Sequence, residues 1–111
     1  DAVVERGAAL FDELKQRATR IGVEGNRQYN PGWHLTVDLR SMLLLAEATT
    51  RSAIERKGSR GGHTRDDYPT AVKEWESRNV VSRLAGDGSV SVTVEAKPEM
   101  PAELQQLFEE G

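Results

Sequence analysis

Ser59-Arg60-Gly61-Gly62-His63-Thr64-Arg65-Asp66-Asp67-Tyr68-Pro69 divides the chain into two parts with different periodicities. Adjacent glycines lose much backbone entropy on ordering and favour unusual φ/ψ, so a helix arriving from the N-terminal side cannot run through Gly61-Gly62. Around that pair the stretch gathers two Arg, one His and two Asp. Charged donors on a backbone held to one path suit a positioning loop, not a core.

Upstream, the pattern is helical. From about Trp33 to Lys57, Leu35, Leu39, Met42, Leu43, Ala46 and Ala53 share one side, and Val37, Leu44, Leu45 and Ala48 widen it. An apolar arc that wide predicts burial on more than one face. Asn30-Pro31-Gly32 reads as turn chemistry feeding this helix, with Pro suited to the first turn. Before the polar connector of residues 23 to 33, the segment from Asp1 to Ile21 predicts another helix. Its stripe runs through Val3, Val4, Leu10, Phe11, Leu14, Ala18 and Ile21, and Gly22 and Gly25 bracket the exit. Two helices alone leave much of the second one wet, so a third surface is implied.

Downstream of Pro69 the period changes to two. Ser77 to Leu84 and Ser89 to Lys97 read as strands, with Val90, Val92 and Val94 alternating against Ser91, Thr93 and Glu95. Gly86-Asp87-Gly88 between them is a hairpin signal. A lone hairpin is marginal and must lie on something larger. Pro98 and Pro101 end it, and Ala102 to Glu110 fits a short terminal helix. The expected fold class is therefore mainly α: a helical bundle part over 1–59, then the loop, a small antiparallel hairpin and a tail over 60–111.

Composition narrows the chemistry. The chain has 111 residues, enough for one domain with a modest core. Its net charge of −3 gives no reason to expect nucleic acid or an anionic membrane as partner. There is no Cys, which excludes disulfides and cysteine-ligated iron–sulfur clusters within these residues. No apolar run approaches the roughly 20 residues that span a bilayer. The chain opens inside what reads as a helix, and a fragment of a larger protein is expected.

The candidate chemistry sits in the loop. His63 beside Arg60 and Arg65 forms a set suited to an anion. Asp66 and Asp67 are placed to pair those arginines locally, so the residues by themselves favour a solvated charged loop. His34 reads as a packed or capping residue near a helix start. Two His with no Cys and no His-x-x-x-His spacing predict no metal site. Trp33 and Trp75 read as packing anchors. No residue is assigned a catalytic role, and there is no Gly-x-Gly-x-x-Gly, P-loop or nucleophile elbow.

The loop resembles the S-R-G-A-H-x-R-x-D-Y-P motif in the C-terminal domain of succinate dehydrogenase and fumarate reductase flavoprotein subunits, with Gly62 where Ala is usual. The resemblance extends upstream through Asn30-Pro31-Gly32-Trp33-His34 and downstream through Trp75 and the Val-rich hairpin, covering roughly residues 23 to 101. Gly58 departs from it, since Glu usually precedes the Ser-Arg pair. The resemblance implies a spectrin-like helical bundle, incomplete here, whose missing helix precedes Asp1. It implies a full-length FAD enzyme that interconverts succinate and fumarate, with Arg60 and His63 at the flavin edge or just behind it. Positive charge there would stabilise the anionic reduced flavin.

The implied partners are the FAD-binding domain of the same chain and an iron–sulfur protein subunit. Any membrane anchor enters only indirectly, which implies a cytoplasmic protein peripheral to the inner face of the membrane. These residues lack the dinucleotide fingerprint, the His that carries covalent FAD and the proton-shuttling Arg, so alone they are expected to be inactive and without cofactor. Self-association is one way for the isolated piece to cover its apolar arc. Two alternatives stay open: the C-terminal domain of an L-aspartate oxidase, whose relatives typically lack Arg at the position of Arg65, and a stand-alone helical interaction module.

Overall fold

The computed structural model describes residues 2–109. The side chains of Val3 and Glu109, and the helix ends expected at Asp1 and Glu110, lie outside the described residues. Helix α1 covers Ala2–Ala9, α2 Phe11–Ala18 and α3 Pro31–Glu55; a 3₁₀ turn at Lys73–Glu76 leads into strand β1 (Arg78–Leu84), β2 (Val90–Ala96) and a last helix α4 (Ala102–Glu109). The helical part followed by an antiparallel hairpin agrees with the sequence reading.

The first helix differs from expectation, because the run expected from Asp1 to Ile21 breaks at Leu10. There the Leu10 N–H turns to the Gly7 carbonyl at 3.1 Å, a tighter i to i−3 bond, before Leu14 resumes the ladder from Leu10 at 2.9 Å. Gly7 is the poorest helix former in the segment, and the ladder shifts beside it. The helix also stops earlier, at Ala18. Thr19 donates its hydroxyl to the Gln16 carbonyl (2.7 Å) and competes with further winding. Among the described side chains of the expected apolar stripe, Phe11 alone is buried, and Leu10, Leu14 and Ile21 are exposed.

Helix α3 follows its sequence signals closely. Asn30 is the N-cap, its side-chain oxygen accepting from the Trp33 N–H at 3.3 Å, and Pro31 occupies the first turn. The Asn30 amide also donates to the carbonyls of Glu24 and Asn26, tying the polar connector to the helix start. Helices α1 and α2 lie against α3 on one side, and the hairpin lies against its C-terminal half. Val80 pairs with Val94, Ser82 with Val92 and Leu84 with Val90. Ser82 reaches Ser52 of α3 at 2.8 Å. The other hairpin face is polar, with Arg83 bridging to Glu95 at 2.7 Å. In the turn, Gly88 takes φ +84°, a left-handed conformation, and Asp87 accepts from the Ser89 N–H and hydroxyl.

Among the described residues, the buried large side chains are Phe11 and Trp75, at 9% and 8% exposure, and one carboxylate, Glu47 at 2%. Glu47 projects from the middle of α3, where Lys15 of α2 and Arg51 of the next α3 turn both donate to it. Burial alone would raise its pKa, but those two charged donors outweigh burial and hold it below the ordinary value. The apolar arc of α3 that the sequence left unpartnered stays open, with Leu35, Met42 and Leu45 more than half exposed. No helix among the described residues is long and apolar enough to cross a membrane.

Candidate functional site

Helix α3 ends without the usual devices. Its last turn holds no basic residue, and the C-cap residue Arg56 leaves the helix in extended geometry. The final carbonyls of a helix carry partial negative charge and need donors. Arg65, from the far side of the loop, supplies them: Nη1 donates to the carbonyls of Ala53 (2.9 Å) and Ile54 (2.7 Å). The other edge of the same guanidinium grips Asp67 as a fork, Nε at 2.8 Å and Nη2 at 2.6 Å. Its carbon lies 5.1 Å from the Tyr68 ring centroid. Arg65 holds the Asp67 carboxyl well below the ordinary carboxylate range, and Asp67 in turn raises Arg65.

Ser59 fixes the other end of the loop. Its hydroxyl donates to the Tyr68 carbonyl (2.7 Å) and accepts from the Arg65 N–H (2.8 Å), while its own N–H reaches the Thr70 carbonyl (3.2 Å). Trp75 closes the base, its indole N–H donating to the Lys57 carbonyl at 3.0 Å. A side chain on Gly58 would meet this ring: a Cβ there falls 3.2 Å from Trp75 Cδ1 and 3.3 Å from Val72 Cγ2. Glycine at 58 therefore lets the indole seat directly on the backbone.

Arg60 and His63 occupy the two ends of the tight turn so framed. Their backbones exchange both hydrogen bonds, at 2.8 and 3.1 Å, around Gly61-Gly62. Gly61 takes φ +59° at the first central position, where a two-residue hairpin turn of the II′ sense requires glycine. The side chains diverge. His63 points back, its Nε2 3.3 Å from the Arg56 carbonyl, so Nε2 carries the proton. Arg60 is exposed, has no hydrogen bond or ion pair from its side chain among the described residues, and lines a small cleft with Trp75. Arg65, grouped with these two in the sequence, is committed to the frame. His34 is exposed and lies edge-on to Trp33, their ring centroids 5.3 Å apart. No group of three or more His, Asp or Glu among the described residues converges on a metal position.

Sequence reasoning missed Glu47, Ser59 and the capping role of Arg65. The one signal available was the absence of any basic residue in the last turn of α3, which leaves its carbonyls in need of a distant donor.

Comparison with known proteins agrees with this layout. The family model described as fumarate reductase flavoprotein C-term matches residues 1–107. A FAD-dependent oxidoreductase of Methanocaldococcus jannaschii, itself uncharacterized, is 39% identical over 78 residues, covering 70% of this chain and 14% of its own length. A fumarate reductase (CoM/CoB) polypeptide of Methanothermobacter marburgensis is 30% identical over 83 residues, covering 75% of this chain and 14% of its own. The chain thus spans about a seventh of these relatives. Among solved structures, the Mycobacterium smegmatis Sdh1 complex in the apo form contains a chain that superposes with a TM-score of 0.75 at 42% identity, over 86% of this chain and 16% of that one. With the match running through helices, loop and hairpin alike, the chain belongs to the fumarate reductase flavoprotein C-terminal family.

Proposed function

We propose that the chain is the C-terminal domain of a FAD-dependent succinate dehydrogenase or fumarate reductase flavoprotein. In that setting it packs on the FAD-binding domain and presents Arg60, with His63 behind it, to the flavin edge. The observation that carries this reading is the exposed Arg60, unpaired among the described residues, at one end of a tight turn fixed by Ser59 and Arg65. An unpaired cation on a braced backbone is suited to an anionic partner group. The residues described fit the edge of a flavin and not a pocket for one, since they include no Gly-rich phosphate loop. FAD, held by the rest of the protein, would supply the hydride chemistry. This domain supplies charge and position, and by itself neither retains FAD nor turns over substrate.

The neighbour in the solved Sdh1 complex supports assembly with further subunits, of which an iron–sulfur protein is our candidate. The exposed apolar side of α3 suits cover by the remainder of the same protein. Membrane association would come only through partners, at the inner face of the membrane. An L-aspartate oxidase domain is the less favoured reading, because Arg65 is central to the loop.

Potentiometric titration of the full-length flavoprotein tests the loop. Arg60→Ala should lower the flavin potential or occupancy, whereas Arg83→Ala, on the polar hairpin face, should leave both unchanged. Equal effects of the two substitutions would remove the special role given to the loop.

A further inference from the structure

A cleft of about 550 Å³ opens between the C-terminal half of α3 and β1, with Ala48, Ala53 and Val80 among its walls. Arg56 from the end of α3, His63 from the turn and Arg78 from the start of β1 all line it, and no carboxylate does. In a chain of net charge −3, a cleft with cations alone runs against the bulk balance. The Ser52 and Ser82 hydroxyls that line it lie 2.8 Å apart, and Ser52 donates to the Ala48 carbonyl at 2.7 Å.

Neither guanidinium is firmly engaged elsewhere. Arg56 makes no ion pair among the described residues; its Nε–H is buried without an acceptor, and its guanidinium carbon lies 5.8 Å from the Trp75 ring centroid. Arg78 pairs with Glu74 at 2.5 Å, but the two side chains are 48% and 56% exposed. A pair that open to water exchanges readily for a better partner.

We propose that this cleft binds a small oxyanion, a carboxylate or phosphate group held between the forks of Arg56 and Arg78. His63, Ser52 and Ser82 line the cleft with their protons held internally, the Ser52 hydroxyl on the Ala48 carbonyl and His63 Nε2 on the Arg56 carbonyl, so the two guanidinium groups are the donors. The volume is that of a small-molecule site. Turning toward the ligand would give the Arg56 guanidinium the acceptor it lacks. The proposal does not depend on the position of the loop beside a flavin.

Titration of the full chain with inorganic phosphate and with malonate, followed by amide NMR, tests it. Saturable shifts are expected at Ser52, Arg56, His63 and Ser82, with a Kd on the order of 1 mM. Arg56→Gln and Arg78→Gln should each weaken binding about tenfold, and Arg20→Gln, at an exposed position outside the cleft, should not. Binding of phosphate alone assigns a phosphorylated ligand and malonate alone a carboxylate; both outcomes support the site. Absence of saturable shifts up to about 50 mM, or equal weakening by Arg20→Gln, overturns it. If Arg56→Gln does not fold, the half-exposed Arg78→Gln carries the test.

Discussion

Arg65 does three things with one guanidinium: it caps α3, grips Asp67 and stacks on Tyr68. Lysine cannot form that fork, so Arg65→Lys should cost about 2 kcal/mol and speed amide exchange at Ser59, His63 and the end of α3. Unchanged exchange would show that the cap does not order the loop. At the neighbouring position, Gly58→Glu, which restores the residue expected from the resemblance, must displace Trp75 or Val72. A loss of roughly 1–3 kcal/mol is expected, read from denaturant unfolding followed by Trp fluorescence. At this scale the sequence was half legible. The loop announced itself through Gly61-Gly62 and its charges, and the local pairing of an Arg with an Asp was foreseeable. Which arginine was free was not, because Arg65 finds its acceptors eleven and twelve residues back, on carbonyls that no side-chain pattern reveals.

At the scale of elements, α3 and the hairpin were readable because local signals agree: Asn30-Pro31 starts the helix, and Val alternation with Gly86-Asp87-Gly88 sets the strands. The break at Leu10 was not, since it depends on a one-residue shift of hydrogen bonds beside Gly7. Nor was Glu47, which four residues before Arg51 reads as half of a solvated pair until Lys15 approaches from α2. Glu47→Ala removes two charged hydrogen bonds but leaves Lys15 and Arg51, a third or more exposed, able to reach water, so it should cost about 1–3 kcal/mol. Glu47 also predicts acid sensitivity. Its pKa is lower in the folded state than in the unfolded chain, so its contribution is complete above the ordinary carboxylate pKa of about 4.3 and is lost as pH falls through the folded value. Asp67, lowered by Arg65, acts in the same direction. Urea unfolding at falling pH should show the wild type losing stability below about pH 4.5 more steeply than Glu47→Gln. Parallel pH profiles would show that Glu47 has no part in the acid response.

As a whole molecule the chain is open. Its radius of gyration is 19.5 Å and its extents are 64 × 34 × 27 Å, whereas a closed domain of this length has a radius near about 13 Å. The apolar side of α3 is uncovered, and α4 packs on none of the other elements while exposing Leu107 and Phe108. A layer of further structure is what such surfaces call for, and the wide arc of α3 made that legible in advance, though not what fills it. A flavin domain is our answer, and it sets the decisive measurement. The full-length protein, expressed in its native background, is denatured in acid, and flavin is assayed in both the protein band and the supernatant. Flavin is expected in one of the two fractions, in the band if covalently held, and none with the 111-residue chain alone. A full-length protein with no flavin in either fraction would contradict the assignment to a flavoprotein.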